Sequence, residues 1–228
     1  MGKLMTKKRV IILGKGELAI DVADWFHKSD VYEIMHVVPV IPEPEWAPSF
    51  KKWAVRNKVA YIQDGRYKSI PDVKENDWEV DLVVSVFYDK IIKQWFIDKC
   101  KKIVNIHNAP LPKYRGVSPI NWALKNKELE HGVTIHEITA GIDDGPIVAQ
   151  VKFSIYPEID EVIDVYKKCL IYGYVLFTET MPLIDTIKPR KQVERDATYY
   201  DSSMNAMLNE RRHFTKKLSI SKDPKKKQ

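Results

Sequence analysis

Residues 9–14 read RVIILG, a run apolar and β-branched enough for a strand buried on both faces, and it passes directly into Gly14-Lys15-Gly16 and the amphipathic stretch ELAIDVADWFHKS. A buried strand turning at glycine into a helix is the opening unit of an α/β domain, because the helix must fold back to cover the face the strand leaves open. The same alternation continues downstream. Strands are expected at 32–40 (YEIMHVVPV), 59–63 (VAYIQ), 81–88 (DLVVSVFY) and 103–108 (IVNIHN), and a strand pair at 131–139 and 147–155 around a turn at GIDDGP. Between them, Pro42, Pro44 and Pro48 enforce a loop, DKIIKQWFIDK makes a short helix, and 118–129 reads as another. Apolar residues at Val162, Ile163, Tyr166, Leu170, Tyr174, Phe177, Met181 and Ile184 predict one long helix over 160–187, shortened or kinked at Pro182. The fold class is therefore α/β: a Rossmann-like, mainly parallel sheet with helices on both faces, followed by a short C-terminal segment.

Three units are expected: a catalytic domain over 1–187, a small hairpin or dimerisation segment over 188–212 carrying Tyr199-Tyr200, and a basic, disordered tail over 213–228. The net charge of +6 on 228 residues suggests at first a polyanionic partner. Residues 211–228, however, hold eight Lys/Arg against one acid, Asp223, so residues 1–210 carry −1 and have no polyanion-binding signature. Cys100 and Cys169 are too few for a disulfide scaffold and suit a reduced, cytoplasmic protein. No run approaches the ~20 apolar residues of a membrane span, and no zinc spacing surrounds the cysteines.

Gly14-x-Gly16-x-x-Ala19 has the form of a dinucleotide fingerprint. Glu17 at the helix start opposes a phosphate there, and the second strand ends HVVPVI without the ribose-binding acid such a site needs. The turn therefore reads as a tight strand-to-helix connection. The chemistry-bearing residues lie in 105–146. Asn105 and His107, two apart on a strand, point to one face. A carboxamide that can stabilise an oxyanion beside an imidazole that can relay a proton suits acyl transfer. An acid is then wanted to orient the imidazole, and the turn Ile142-Asp143-Asp144-Gly145-Pro146 offers one.

Asn105-Ile106-His107, then Leu111-Pro112-Lys113-Tyr114-Arg115-Gly116, then Ile142-Asp143-Asp144-Gly145-Pro146-Ile147 resemble, in order and spacing, the folate-dependent formyltransferases over about residues 8–187. The resemblance implies a catalytic triad of Asn105, His107 and Asp143, with Asp144 the weaker candidate for the acid. It implies 10-formyltetrahydrofolate as co-substrate and no metal. The pterin would lie against 86–91 and 137–144, which places Phe87, Tyr88, Ile91, Glu137 and Asp144 as folate contacts; Phe87, Tyr88 and Ile91 suit an ordinary core equally well. Within the family, GKGELA, Ala109-Pro110 and RGVSPINWALKN look like the nucleotide-sugar N-formyltransferases. The implied acceptor is then a nucleotide-linked amino sugar, in the first instance dTDP-4-amino-4,6-dideoxyglucose for surface polysaccharide such as lipopolysaccharide O-antigen. Lys113, Tyr114, Arg115 and Trp122 are the expected substrate contacts, with Trp46 and Trp53 as candidates for stacking on a base. Arg115 suits a diphosphate, or a solvated or structural role, equally well. A homodimer, no specific nucleic acid and no membrane complete the expectation. Glycinamide ribonucleotide as acceptor, a nicotinamide-dependent oxidoreductase using Gly14 and Gly16, and a silent nucleotide-sugar binder remain as alternatives.

Overall fold

The computed structural model describes residues 6–212; the basic tail expected over 213–228 lies outside them. The strands are β1 (Lys8–Gly14), β2 (Tyr32–Pro39), β3 (Leu82–Val86), β4 (Ile103–His107), β5 (Arg115–Gly116), β6 (Glu130–Glu137), β7 (Ile147–Ser154) and β8 (Tyr199–Tyr200). The helices are α1 (Gly16–His27), α2 (Phe50–Arg56), α3 (Gln94–Ile97), α4 (Pro119–Lys125) and α5 (Val162–Thr180). Six strands form one sheet in the order β2-β1-β3-β4-β6-β7. The first four run parallel, and β6 and β7 are antiparallel. This is the Rossmann-like α/β architecture read from the sequence.

Every residue of β3 is buried, which accounts for its unbroken LVVSV composition. One face of the sheet is covered by α1 and α5, where Phe26, Phe177 and Tyr32 pack with Leu18 and Val22. The other face is closed by Tyr67, Trp78 and Phe96. Gly14 is required by proximity: a Cβ there would lie 2.3 Å from the Val86 carbonyl oxygen on the neighbouring strand. The glycine turn is thus a packing device, as its sequence context implied.

Three expectations are corrected. Residues 59–63 do not form a strand; Tyr61 bridges Val37 at a single position. The chain turns away immediately, closing on itself where the Gly65 N–H reaches the Ile62 carbonyl. The α5 stripe is rotated from the one expected, with Val162, Val165, Cys169, Gly173, Leu176, Phe177 and Thr180 buried. Small residues decide this: a Cβ on Gly173 would meet Leu18 at 3.1 Å, so the helix seats its glycine against α1 and leaves the bulkier Tyr166, Leu170 and Tyr174 half-buried. Residues 188–212 form no hairpin of their own. Instead β8 pairs in parallel with β5, and Tyr200 stacks between Tyr114 (5.7 Å) and Trp122 (4.3 Å).

Candidate active site

In an open α/β sheet, ligands bind outside the carboxyl ends of the parallel strands, where the loops diverge. Two clefts open there, of about 420 and 320 Å³. The first is walled by Tyr88, Ile91, Ile92, Ile138, Val117 and Tyr199. The second is walled by Lys15, Trp46, Phe87, Asn108, Ser118 and Tyr166. Tyr88, Asn105, Gly116, Val117 and Asp143 line both, so the clefts meet on these residues, with Asn105, Gly116 and Asp143 at the polar centre of the junction.

β4 delivers Asn105 to that junction and His107 to the second cleft beside it, and the β6–β7 loop delivers Asp143 from across the sheet. His107 is 8% exposed, and its Nε2–H donates to the Tyr114 carbonyl at 2.9 Å. Its other nitrogen, Nδ1, faces Asp143 Oδ2 at 3.7 Å. With Nε2 committed to a backbone carbonyl, any proton the ring exchanges passes through Nδ1, on the side of the carboxylate. Asp143 Oδ2 also accepts the Gly116 backbone N–H at 2.9 Å. Burial alone pushes the Asp143 carboxyl upward. The charge of His107, the neighbouring His136 and the Gly116 N–H outweigh that and hold it well below the usual carboxylate range. Asp143 is therefore an anion at neutral pH, held against imidazole.

His136 was not singled out in the sequence, and it belongs to this cluster. It sits opposite Asn105 in the antiparallel β4–β6 register. Its Nδ1–H donates to the Glu137 carbonyl at 2.9 Å, leaving Nε2 to accept from Asn105 Nδ2 at 3.2 Å. The same Nε2 lies 3.4 Å from Asp143 Oδ1. One amide hydrogen of Asn105 is thus held by His136, and the second is left for the cleft. Only the register of β4 against β6 reveals this; in the sequence His136 is an ordinary strand residue.

Backbone strain gathers at the same place. Phe87, Tyr114, Ser118 and Asp143 have φ of 56°, 64°, 55° and 52°, in the left-handed region. Non-glycine residues occupy that region at a cost of roughly 1–3 kcal/mol each, which persists where surrounding contacts over-determine the geometry.

The remaining expected contacts divide. Ile91 lines the first cleft, Tyr88 lines both, and Phe87 lines the second. Glu137 sits at the end of β6 with its backbone N–H on the Pro146 carbonyl, and Asp144 accepts the Thr139 hydroxyl and braces its own loop; neither lines a cleft. The four expected substrate contacts line neither cleft. Lys113 pairs with Glu128 at 3.5 Å. Tyr114 is buried, donating its hydroxyl to Glu128 at 2.7 Å, and Trp122 is buried in the Tyr200 stack. Arg115 is also buried, its guanidinium taken up by Gln192 and by Glu194 at 2.7 Å, so it is not presented to a diphosphate. Of the two loop tryptophans, Trp46 lines the second cleft, while Trp53 is core and donates to Asp24 at 2.8 Å.

Against known proteins, a family profile described as Formyl transferase matches residues 8–180. The methionyl-tRNA formyltransferase of Acetivibrio thermocellus is 29% identical over 201 residues, covering 84% of this chain and 64% of that enzyme; the chain thus spans less than two thirds of that relative. Among solved structures, WlaRD, a sugar 3N-formyl transferase determined in the presence of dTDP and 5-N-formyl-THF, aligns with a TM-score of 0.75 at 29% identity, over 87% of this chain and 71% of that one. An N-formyltransferase from Helicobacter canadensis, in complex with folinic acid and dTDP-3-aminofucose, gives 0.75 at 28%, over 87% and 72%.

Proposed function

This chain belongs to the formyl transferase family, and on that premise we propose that it moves a formyl group from 10-formyltetrahydrofolate to the amino group of a nucleotide-linked amino sugar. The observation that carries the reading is the meeting of two clefts on Asn105, Gly116 and Asp143. A transfer between two bound molecules needs two compartments sharing one reactive junction. Holding both reactants there is worth on the order of 7–11 kcal/mol when they are well aligned. The cleft with Ile91, Ile92, Ile138 and Val117 has the apolar walls a planar pterin requires, and it takes the folate. The cleft with Lys15, Trp46 and Asn108 offers a cation, an aromatic face and a carboxamide, and it takes the amine donor's nucleotide and sugar.

At the junction, the amine attacks the formyl carbon and negative charge develops on the formyl oxygen. Asn105 donates its uncommitted amide hydrogen to that oxygen, a contribution typically of about 10²–10³ in rate. His107, exchanging a proton at Nδ1, relays the amine proton toward the departing folate nitrogen, and assistance of this kind supplies ~10²–10⁴. Asp143 balances the positive charge His107 carries during that relay, and His136 holds the Asn105 amide in place.

The dTDP-bearing sugar enzymes among the solved relatives, one a 3N-formyl transferase and one bound to dTDP-3-aminofucose, support a dTDP-linked amino sugar; the 4-amino-4,6-dideoxyglucose implied by the sequence resemblance is tested beside the 3-amino sugars. The methionyl-tRNA formyltransferase among the sequence relatives favours a second reading, in which the amine is that of methionine on tRNA. The test offers 10-formyltetrahydrofolate with dTDP-linked 4-amino and 3-amino sugars, glycinamide ribonucleotide and methionyl-tRNA, and follows release of tetrahydrofolate. Turnover with a sugar nucleotide is the expected result. Turnover only with the ribonucleotide or the tRNA refutes the sugar assignment, and binding of NAD with no affinity for reduced folate refutes formyl transfer. A homodimer forms part of the proposal and is read by sedimentation.

A further inference from the structure

Asp143 has left-handed backbone geometry on a loop whose neighbours Gly141, Ile142 and Asp144 are all exposed, yet its carboxylate is placed between two imidazoles. Something outside the loop must hold it. The Gly116 N–H fixes one carboxylate oxygen. The backbone is fixed from a distant part of the chain: Gln192 Nε2 donates one hydrogen to the Asp143 carbonyl at 2.8 Å and the other to the Gly145 carbonyl at 2.7 Å. The Gln192 side-chain oxygen accepts from Arg115 Nε at 3.1 Å and Nη2 at 2.8 Å. Arg115 in turn directs Nη1 and Nη2 to the Glu194 carboxylate at 3.0 and 2.7 Å. Each polar atom of the Gln192 amide is therefore used, and the amide is held flat between a guanidinium and a loop. The hub is the dipeptide Arg115–Gly116, whose side chain holds Gln192 and whose backbone holds the Asp143 carboxylate.

We infer that Gln192 is a positioning residue for Asp143, setting the direction of its carboxylate toward His107 and His136 by clamping the peptide units on either side of the loop turn. Gln192 lies beyond residue 180, where the family match ends, and in the loop it meets the Asp143 and Gly145 backbone carbonyls, not the Asp143 carboxylate. The inference rests on the formyl transfer reading for its kinetic arm and on geometry alone for its spectroscopic arm. Gln192→Glu is the informative change. It preserves shape and strengthens the pairing with Arg115, but it replaces the two N–H donors with an oxygen facing two carbonyls.

The experiment compares the full chain, Gln192→Glu, Asp143→Asn and the double variant, with Gln192→Asn as a second probe should Gln192→Glu not fold. With the acceptor the unaltered protein turns over, Gln192→Glu is expected to lose about ten- to hundredfold in kcat, the scale of two neutral hydrogen bonds, with KM for both substrates little changed. In the Asp143→Asn background the same change should cost less than about twofold, because the residue it positions is already gone. Independently of any substrate, the ring 15N resonances of His107 and His136 in Gln192→Glu should move toward those of Asp143→Asn. Equal losses in both backgrounds, or resonances that stay at their original positions in the folded variant, overturn the inference. If the unaltered protein formylates nothing, the functional reading fails while the resonances still decide the role of Gln192.

Discussion

Acidification should destabilise this protein through His131. His131 is fully buried on β6, and its Nε2–H donates to the Asn108 carbonyl at 2.8 Å, pinning the chain just after β4. Its Nδ1 is buried with no hydrogen-bond partner, so a proton added there has nowhere to go. Burial accordingly drives the imidazole from 6.5 down to about 4, against the opposing hydrogen bond to Asn108 and with the added push of His107. Because the folded value is depressed, the unfolded chain binds the proton first. Stability is intact above pH 6.5 and is lost progressively as pH falls toward 4, by about 3 kcal/mol in full. At about pH 5 the loss from this one group is about 2 kcal/mol. The assay is urea denaturation at about pH 7.5 and about pH 5 of the protein and of His131→Gln, whose amide can still reach the Asn108 carbonyl. Other groups also titrate over this interval, His36 among them, lowered by its own burial. Their effect cancels in the comparison, and the unaltered protein should lose about 2 kcal/mol more than the variant. Equal losses in the two proteins would falsify the buried, neutral imidazole.

Further outcomes follow from the site and the sheet. Asn105→Ala and His107→Ala should each lower kcat by at least ~10²-fold with unchanged circular dichroism; near-normal turnover in either removes that residue from the mechanism. Trp46→Ala should raise KM for the amine donor and leave KM for folate alone, whereas Ile91→Glu should do the reverse, since each lines only one cleft. An effect of either change on the opposite substrate refutes the assignment of the clefts. Gly14→Ala brings a Cβ within 2.3 Å of the Val86 oxygen and should lower stability by about 1–3 kcal/mol, visible as a drop of several degrees in Tm.

The strand-and-helix alternation and the placing of Asn105 beside His107 were legible because they depend on local periodicity. A buried strand must be apolar along its length, and residues two apart on a strand share a face whatever surrounds them. The strand expected at 59–63 failed for the complementary reason: its composition suits a strand, but the chain turns away after one bridge to Val37. The partners of Arg115 were not legible, because a guanidinium near β4 looks the same in sequence whether it meets a diphosphate or Glu194, 79 residues away.

What the amino-acid order determined by itself is the set of elements and the chemical types gathered in 105–146, since both follow from short-range pattern. Which histidine faces which carboxylate was decided only by tertiary structure. Asp143 reaches His107 through the β6–β7 loop, His136 reaches Asn105 through an antiparallel register, and Gln192 reaches Asp143 from beyond α5. The near-neutral net charge of residues 1–210 likewise says nothing about where individual charges point. Hydrogen bonds between residues tens of positions apart leave no periodic trace, because they form only once packing has closed the chain around them.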